Sequence, residues 1–230
     1  MARIARIVIP DVAHHVTQRG NRNLPIFFSD ADRETYLKLI IHACERHGTR
    51  CLAWCLMDNH VHLILIPKDG DGLRATLGEA HRRYTVGINV ANGWSGYLFQ
   101  GRFASYAMDD AHLSVAVRYV ENNPVTAGMV AQAQDWCWSS ARAHVSGKSD
   151  GLTDIAAFGD HIQNWRAMLA HGLEASDETP THSIIEAAMR SGRPVGGAAW
   201  IKTLESETGR DITPKRRGPK PKAPNSGTQY

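Results

Sequence analysis

No stretch of this 230-residue chain approaches the roughly 20 consecutive apolar residues that a membrane helix requires. The opening residues, MARIARIVIP, contain arginines but neither a long apolar run nor a small-residue cleavage site, which argues against a secretory leader and for a cytoplasmic setting. Cysteine is scarce as well: Cys44, Cys51, Cys55 and Cys137 are the only four. Two disulfides would need an oxidising compartment, and nothing in the sequence suggests one. Cys51 and Cys55 look like half of a zinc site, but no second CxxC or CxxH pair completes it, so they read as buried free thiols. Charge of one sign is also in short supply, with a net +3 at neutral pH. Residues 215–222, KRRGPKPK, hold five of the basic groups, and without them the remainder would be slightly acidic.

What is present is an ordinary globular balance, 43% hydrophobic and 21% charged, which predicts a packed core. The length allows one domain with an extension. His14–Asn21 reads as a first strand ending in a turn at Gly20. Ser29 or Asp30 caps a helix to about His47, with Gly48 as its stop and Tyr36, Leu37, Ile40, Ile41 and Cys44 as its buried stripe. Arg50–Met57 and His60–Pro67 are strand-like runs separated by Asp58-Asn59, a hairpin spacing. Gly72–Val90 has helical periodicity, and Gly93–Met108 fits a loop and a further strand. Asp109 or Asp110 caps a last helix to about Asn122, with Asn123 closing it and Pro124 stopping it. This order predicts an α+β domain over 1–148, with a ferredoxin-like antiparallel sheet and packed helices. Residues 149–212 read as a helical extension, with helices near 161–175, 182–192 and Ala198–Thr208. Residues 213–230 read as a disordered basic tail.

The chemistry concentrates in two places. In His60-Val61-His62, residues i and i+2 of a strand share a face, so the two imidazoles project together as half of a metal site. Two core histidines satisfied by hydrogen bonds are the bland alternative, although buried imidazoles on an apolar strand would each need a separate partner. In RYVENNP, Tyr119 and Asn123 lie four residues apart and share a helix face. Leu113, Ala116, Val117 and Val120 form a neighbouring stripe that can pack on the sheet and leave the phenol at a site's edge; here the bland reading is a packing tyrosine and a capping asparagine. Together, a metal polarising a phosphate oxygen and a tyrosine attacking phosphorus make a coherent set. Asn123 can supply a third ligand, and the mixed donors suit Mg²⁺ or Mn²⁺.

LAWCLMDNHVHLILIP and LFQGRFASYAMDDAHLSVAVRYVENNPVTAGMV resemble the HUH single-tyrosine transposases of insertion sequences. VTQRGNRNLPIFFSDADRETYL and WCWSSARAH are similar to the same family, so the resemblance spans about residues 10–145. Within the family the chain looks most like the REP-associated tyrosine transposases. The resemblance implies nicking and rejoining of single-stranded DNA near a hairpin, through a 5′-phosphotyrosine on Tyr119 and a free 3′-hydroxyl. It also implies that His60 and His62 bind the metal with help from Asn123, where many relatives carry Gln. Asp58 stands where many relatives have Pro, and Thr126 where many have Arg.

Such a protein would be nucleoid-associated, acting on single-stranded or hairpin DNA as a monomer or homodimer. Arg19, Arg22, Arg82, Arg83 and Arg102 are candidates for phosphate contact, and Gln18, Asn21 and Asn23 for base edges. Trp94 is the candidate for stacking on an unpaired base, whereas Phe99 and Phe103 are assigned to the core. In the tail, Lys215, Arg216, Arg217, Lys220 and Lys222 form a candidate DNA arm. Two other classes compete with the enzyme: a hairpin-binding or repressor protein that no longer cuts, and an RNA-binding domain. The latter expects exposed aromatics on central strands, where residues 60–67 present histidines and aliphatics.

Overall fold

The computed structural model describes residues 6–162, 164–174 and 180–213. Strand β1, His14–Arg19, lies centrally. Helix α1, Asp30–His47, begins at Ser29, whose hydroxyl accepts from the Asp32 amide at 3.2 Å, and ends at Gly48 in the left-handed region, φ 63°. Strands β2, Arg50–Leu56, and β3, His60–Ile66, form the expected hairpin, closed by the Met57 amide on the His60 carbonyl at 2.9 Å. Helix α2 spans Gly72–Asn92, strand β4 Ala104–Ala107 and helix α3 Asp110–Thr126. The sheet runs β2-β3-β1-β4 with every pairing antiparallel, the ferredoxin-like order.

The alternation of side chains assigns the two faces. Val16, Val61, Leu63 and Leu65 point towards α1 and α2, where they meet Tyr36, Ile40, Leu77 and Tyr84. Ile64, Cys55 and Tyr106 point the other way, onto Ala116, Val117 and Val120 of α3. Each wholly buried aliphatic side chain contributes about 1.5–3 kcal/mol. Two such faces therefore hold the sheet in one register, since a one-residue slip would turn both sets over. Cys51 and Cys55 are buried free thiols, as expected; Cys44 is buried too, and Cys137 is exposed.

One expectation is corrected. Helix α3 does not stop at Asn122, nor does Asn123 close it; the helix continues through Pro124 to Thr126. Proline removes one helical hydrogen bond, but the ladder resumes with the Ala127 amide on the Asn123 carbonyl at 2.9 Å. The stop is Gly128, φ 69°, whose amide bonds Val125 while the Met129 amide bonds Pro124, a Schellman closure. Asn123 therefore sits inside the last turns, with its side chain directed by the helix.

The remaining helices are α4, Ala141–Ser146; α5, Trp165–Glu174; α6, Pro180–Ser191; and α7, Ala198–Thr208. Phe158 and Ala188, from the segment before α5 and from α6, share the core of α3, whereas α7 packs through Leu204 against Ile7, Ile9 and Ala107 in a separate cluster. No described helix is long and apolar enough to cross a membrane. The basic arm, from Lys215 to Lys222, lies outside the described residues.

Candidate active site

The α3 face of the sheet carries the site. β3 projects His60 and His62 from the same side, with ring centroids 4.9 Å apart. The docked helix α3 brings Tyr119 over them, its ring 5.6 Å from that of His62. One turn on, the Asn123 side chain hydrogen-bonds Tyr119. The two constellations, some sixty residues apart in sequence, are one site because Ala116, Val117 and Val120 fix α3 on the sheet.

Both strand histidines have the separate hydrogen-bond partners that burial demands. His62 Nδ1 lies 3.0 Å from Nε2 of His15, and His60 Nδ1 lies 2.6 Å from the Asn59 side-chain oxygen. The δ-nitrogens are thus taken, and the ε-nitrogens are the ones left for a ligand. His15 continues the chain: its Nδ1 is 3.1 Å from the Tyr106 hydroxyl, and its ring stacks on His62 with centroids 5.2 Å apart. If His62 Nε2 is to hold a cation, its Nδ1 must carry the proton and donate to His15, which then donates through its own Nδ1 to Tyr106.

His15 is the site residue that sequence reasoning missed. Its signal was present in the doublet His14-His15, but only the register shows its use. Thr17 pairs with His62 and His15 with Ile64, so His15 and His62 are diagonal neighbours across the ladder. His14 faces elsewhere, with Nδ1 2.8 Å from the Val12 carbonyl and Nε2 accepting from the Ile9 amide. It is a satisfied structural histidine.

Burial sets the protonation of the group. Desolvation lowers His15 to about 3 and His60 to about 4, the latter helped by the charge of Arg19. His62 is held well below its ordinary value by burial, with the neighbouring imidazoles and Arg19 acting in the same direction. All three are therefore neutral near pH 7, the state in which imidazole binds metal. Tyr119 is pushed above the ordinary phenol value, first by burial and also by Glu186; its bond to Asn123 and the charge of Arg19 oppose the shift. Glu186 belongs to α6, so the C-terminal extension contributes charge to this site.

The donors fit a divalent cation of the magnesium or manganese type. Two neutral imidazoles and a carboxamide oxygen leave positions open for water and phosphate. Among the described residues, no group of three or more His, Cys, Asp or Glu is arranged to hold a metal alone.

The candidate DNA contacts fall into separate places. Arg19 leaves the end of β1 beside the site, where its guanidinium donates to Asn23 at 3.5 Å, and Arg22 is exposed nearby. Gln18, Arg82 and Arg102 instead line a cavity of about 1010 Å³ on the α2 side of the sheet. Gln18 is buried and its amide donates to the Gly101 carbonyl at 3.1 Å, so it could reach a base only by giving up that bond. Arg83 pairs with Glu79 along α2. Phe99 and Phe103 are core residues, whereas Trp94 is half exposed.

Residues 11–123 match the family model for IS200-like transposases. Among solved structures, the chain is similar to a REP-associated tyrosine transposase bound to a REP hairpin, with TM-score 0.55 and 22% identity over 69% of this chain and 96% of that one. A candidate transposase from Deinococcus radiodurans R1 matches more loosely, at TM-score 0.37 and 16% identity over 53% of this chain and 97% of that one. No protein of curated function matches the chain.

Proposed function

Since this chain belongs, through residues 11–123, to the IS200-like transposase family, we propose that it nicks and rejoins single-stranded DNA beside a hairpin, with Tyr119 as its nucleophile. The observation that carries this reading is the convergence of His60, His62, Tyr119 and Asn123 on one face of the sheet, with the hydrogen bonds of both histidines made through Nδ1 among the described residues. Hairpin DNA as the substrate is supported by the REP hairpin held by the structural relative.

His60, His62 and Asn123 would hold Mg²⁺ or Mn²⁺. A bound cation would polarise a non-bridging oxygen of the scissile phosphate and stabilise charge building there. The residues of the chain do the rest. Tyr119 Oη attacks phosphorus, forming the O–P bond of a 5′-phosphotyrosine as the bond to the 3′-oxygen breaks; the phenol loses its proton and the departing oxygen gains one. Arg19 favours the phenolate by its charge, against the burial and the Glu186 carboxylate that disfavour it. Asn123 orients the phenol. His15 is a positioning residue: held by Tyr106, it keeps the proton of His62 on Nδ1 and the lone pair of Nε2 towards the cation. Rejoining reverses these steps, with a 3′-hydroxyl attacking the phosphotyrosine.

The test is a denaturing gel after incubation with labelled hairpin-rich single strands. A covalent protein–DNA band should appear with Mg²⁺ or Mn²⁺, vanish with EDTA, and be absent from Tyr119→Phe and His60→Ala while both variants still bind hairpins. Hairpin binding by the wild type with no band under any metal would instead make the chain a non-cutting DNA-binding member of its family.

A further inference from the structure

Beside the site lies a feature that the proposed chemistry does not use. Leu24, Phe28, Trp94 and Tyr97 are large apolar side chains between 47% and 89% exposed, and they gather around a cavity of about 310 Å³. Phe28 and Trp94 stand edge to face with centroids 5.4 Å apart, and Asn21 adds a polar rim. Exposed aromatics in one place lose hydrophobic stabilisation unless something covers them.

The backbone beneath the rim is strained. Arg22 and Asn23 hold φ of 54° and 60°, in the left-handed region that Asn tolerates and Arg does not favour, while Gly20 beside them has an ordinary φ. Gly20 is required for a different reason, since a Cβ there would strike the Leu24 carbonyl. This loop is wired to the site by side chains. Asn59 donates to the Asn23 carbonyl at 3.1 Å and meets His60 Nδ1 through its oxygen. Arg19, at the end of the strand that carries His15, donates to the Asn23 side chain of this loop at 3.5 Å. A guanidinium thus joins the end of β1 to the loop that borders the aromatic cleft.

We propose that the cleft between Phe28 and Trp94 takes an unpaired base of the same DNA strand whose phosphate lies at Tyr119, with Arg19 and Arg22 against the connecting backbone. This rests on the nicking reading above and extends it to the flank of the cut. A planar ring with a π-face suits two exposed aromatic side chains, and the arginines that flank Asn21 in sequence, Arg19 and Arg22, suit a chain of phosphates. Stacking tolerates any base, so the cleft would hold the strand in place without reading its sequence.

The experiment compares a fluorescein-labelled DNA hairpin carrying a single-stranded thymidine flank with the same hairpin whose flank is abasic, by anisotropy. Trp94→Ala should weaken binding of the thymidine flank by about ten- to a hundredfold. It should leave the abasic hairpin unchanged, and Trp94→Phe should restore most of the loss. Mn²⁺ binding should be the same in all three proteins. Equal losses on both flanks, or no loss on either, would overturn the proposal. So would a change of oligomeric state in Trp94→Ala by light scattering, which would give the patch to a second copy of the chain. The two readings fail separately: base-dependent binding without a covalent band sinks only the nicking, and a covalent band without base-dependent binding sinks only the cleft.

Discussion

A single hydrogen bond decides how His62 can act. Its imidazole is buried and neutral, and of its two nitrogens one is taken by His15. Removing His15 would leave Nδ1 of His62 without a partner in a dry setting, so the ring would lose both its fixed tautomer and its orientation. We expect His15→Ala to weaken Mn²⁺ binding by about ten- to a hundredfold. Electron paramagnetic resonance of the free ion reads this without reference to DNA cutting. His15→Gln, whose side-chain oxygen can accept from Nδ1, should recover part of the loss, and Tyr106→Phe should cost less than either. An unchanged Mn²⁺ affinity in a folded His15→Ala protein would remove His15 from the site.

At the scale of elements, the placing of α3 is what makes a site from two motifs. Its apolar stripe docks it on the sheet, and a buried polar cluster locks it there. Glu121 is wholly buried and accepts from the Ser140 hydroxyl at 2.5 Å, and the same oxygen lies 2.6 Å from His144 Nδ1. The Ser140 hydroxyl in turn accepts from the Trp54 amide of β2 while the Ser140 amide donates to the Trp54 carbonyl, each at 3.0 Å, and His144 stacks on Trp165 with centroids 3.9 Å apart. This cluster joins the tyrosine helix, the sheet and the C-terminal extension. Removing one partner of a buried hydrogen bond leaves the other's polar atoms unsatisfied, at a cost of about 1–3 kcal/mol. Glu121→Ala should therefore lower the melting temperature steeply and diminish covalent adduct formation at temperatures where the protein remains folded, because Tyr119 and Asn123 lie on the same helix. A melting temperature within a degree or two of wild type would show that packing alone holds α3.

For the whole molecule, buried histidines couple folding to pH. Burial holds His14 at about 4, and His15 and His81 at about 3, against an ordinary value near 6.5. Below about pH 6.5 the unfolded chain takes up protons that the folded chain refuses. Stability is thus fully present above that value and falls as pH drops, continuing until the folded-state values are reached. Each of these residues contributes a slope on the order of 1 kcal/mol per pH unit in that window. Chemical denaturation at pH 7 and pH 5 should show the acidic midpoint clearly lower, and replacing His81 with Gln should flatten the dependence. Equal midpoints at both pH values would contradict the burial of these rings. Tyr119 works in the opposite sense: its raised value predicts that adduct formation increases as the pH is taken above neutral.

Much of this protein was written locally. The period-3.6 stripes of α1 and α2, the caps Ser29 and Gly48, and the hairpin at Asp58-Asn59 are visible in the sequence because each depends on residues a few positions apart. The same holds for the shared face of His60 and His62 and for the four-residue spacing of Tyr119 and Asn123. The end of α3 was misread because Pro124 is a strong local signal, whereas the closure at Gly128 depends on amides folding back over the last turn. What only the tertiary structure decided are contacts between distant positions. His15 meets His62 across 47 residues and Tyr106 across 91, through a strand register that no local pattern states. Glu186 faces Tyr119 because α6 packs on the α3 side, and Trp94 meets Phe28 because α2 ends beside the 20–28 loop. A chain displays its periodicities directly, but which faces and nitrogens meet is settled only when both sides of the sheet pack at once.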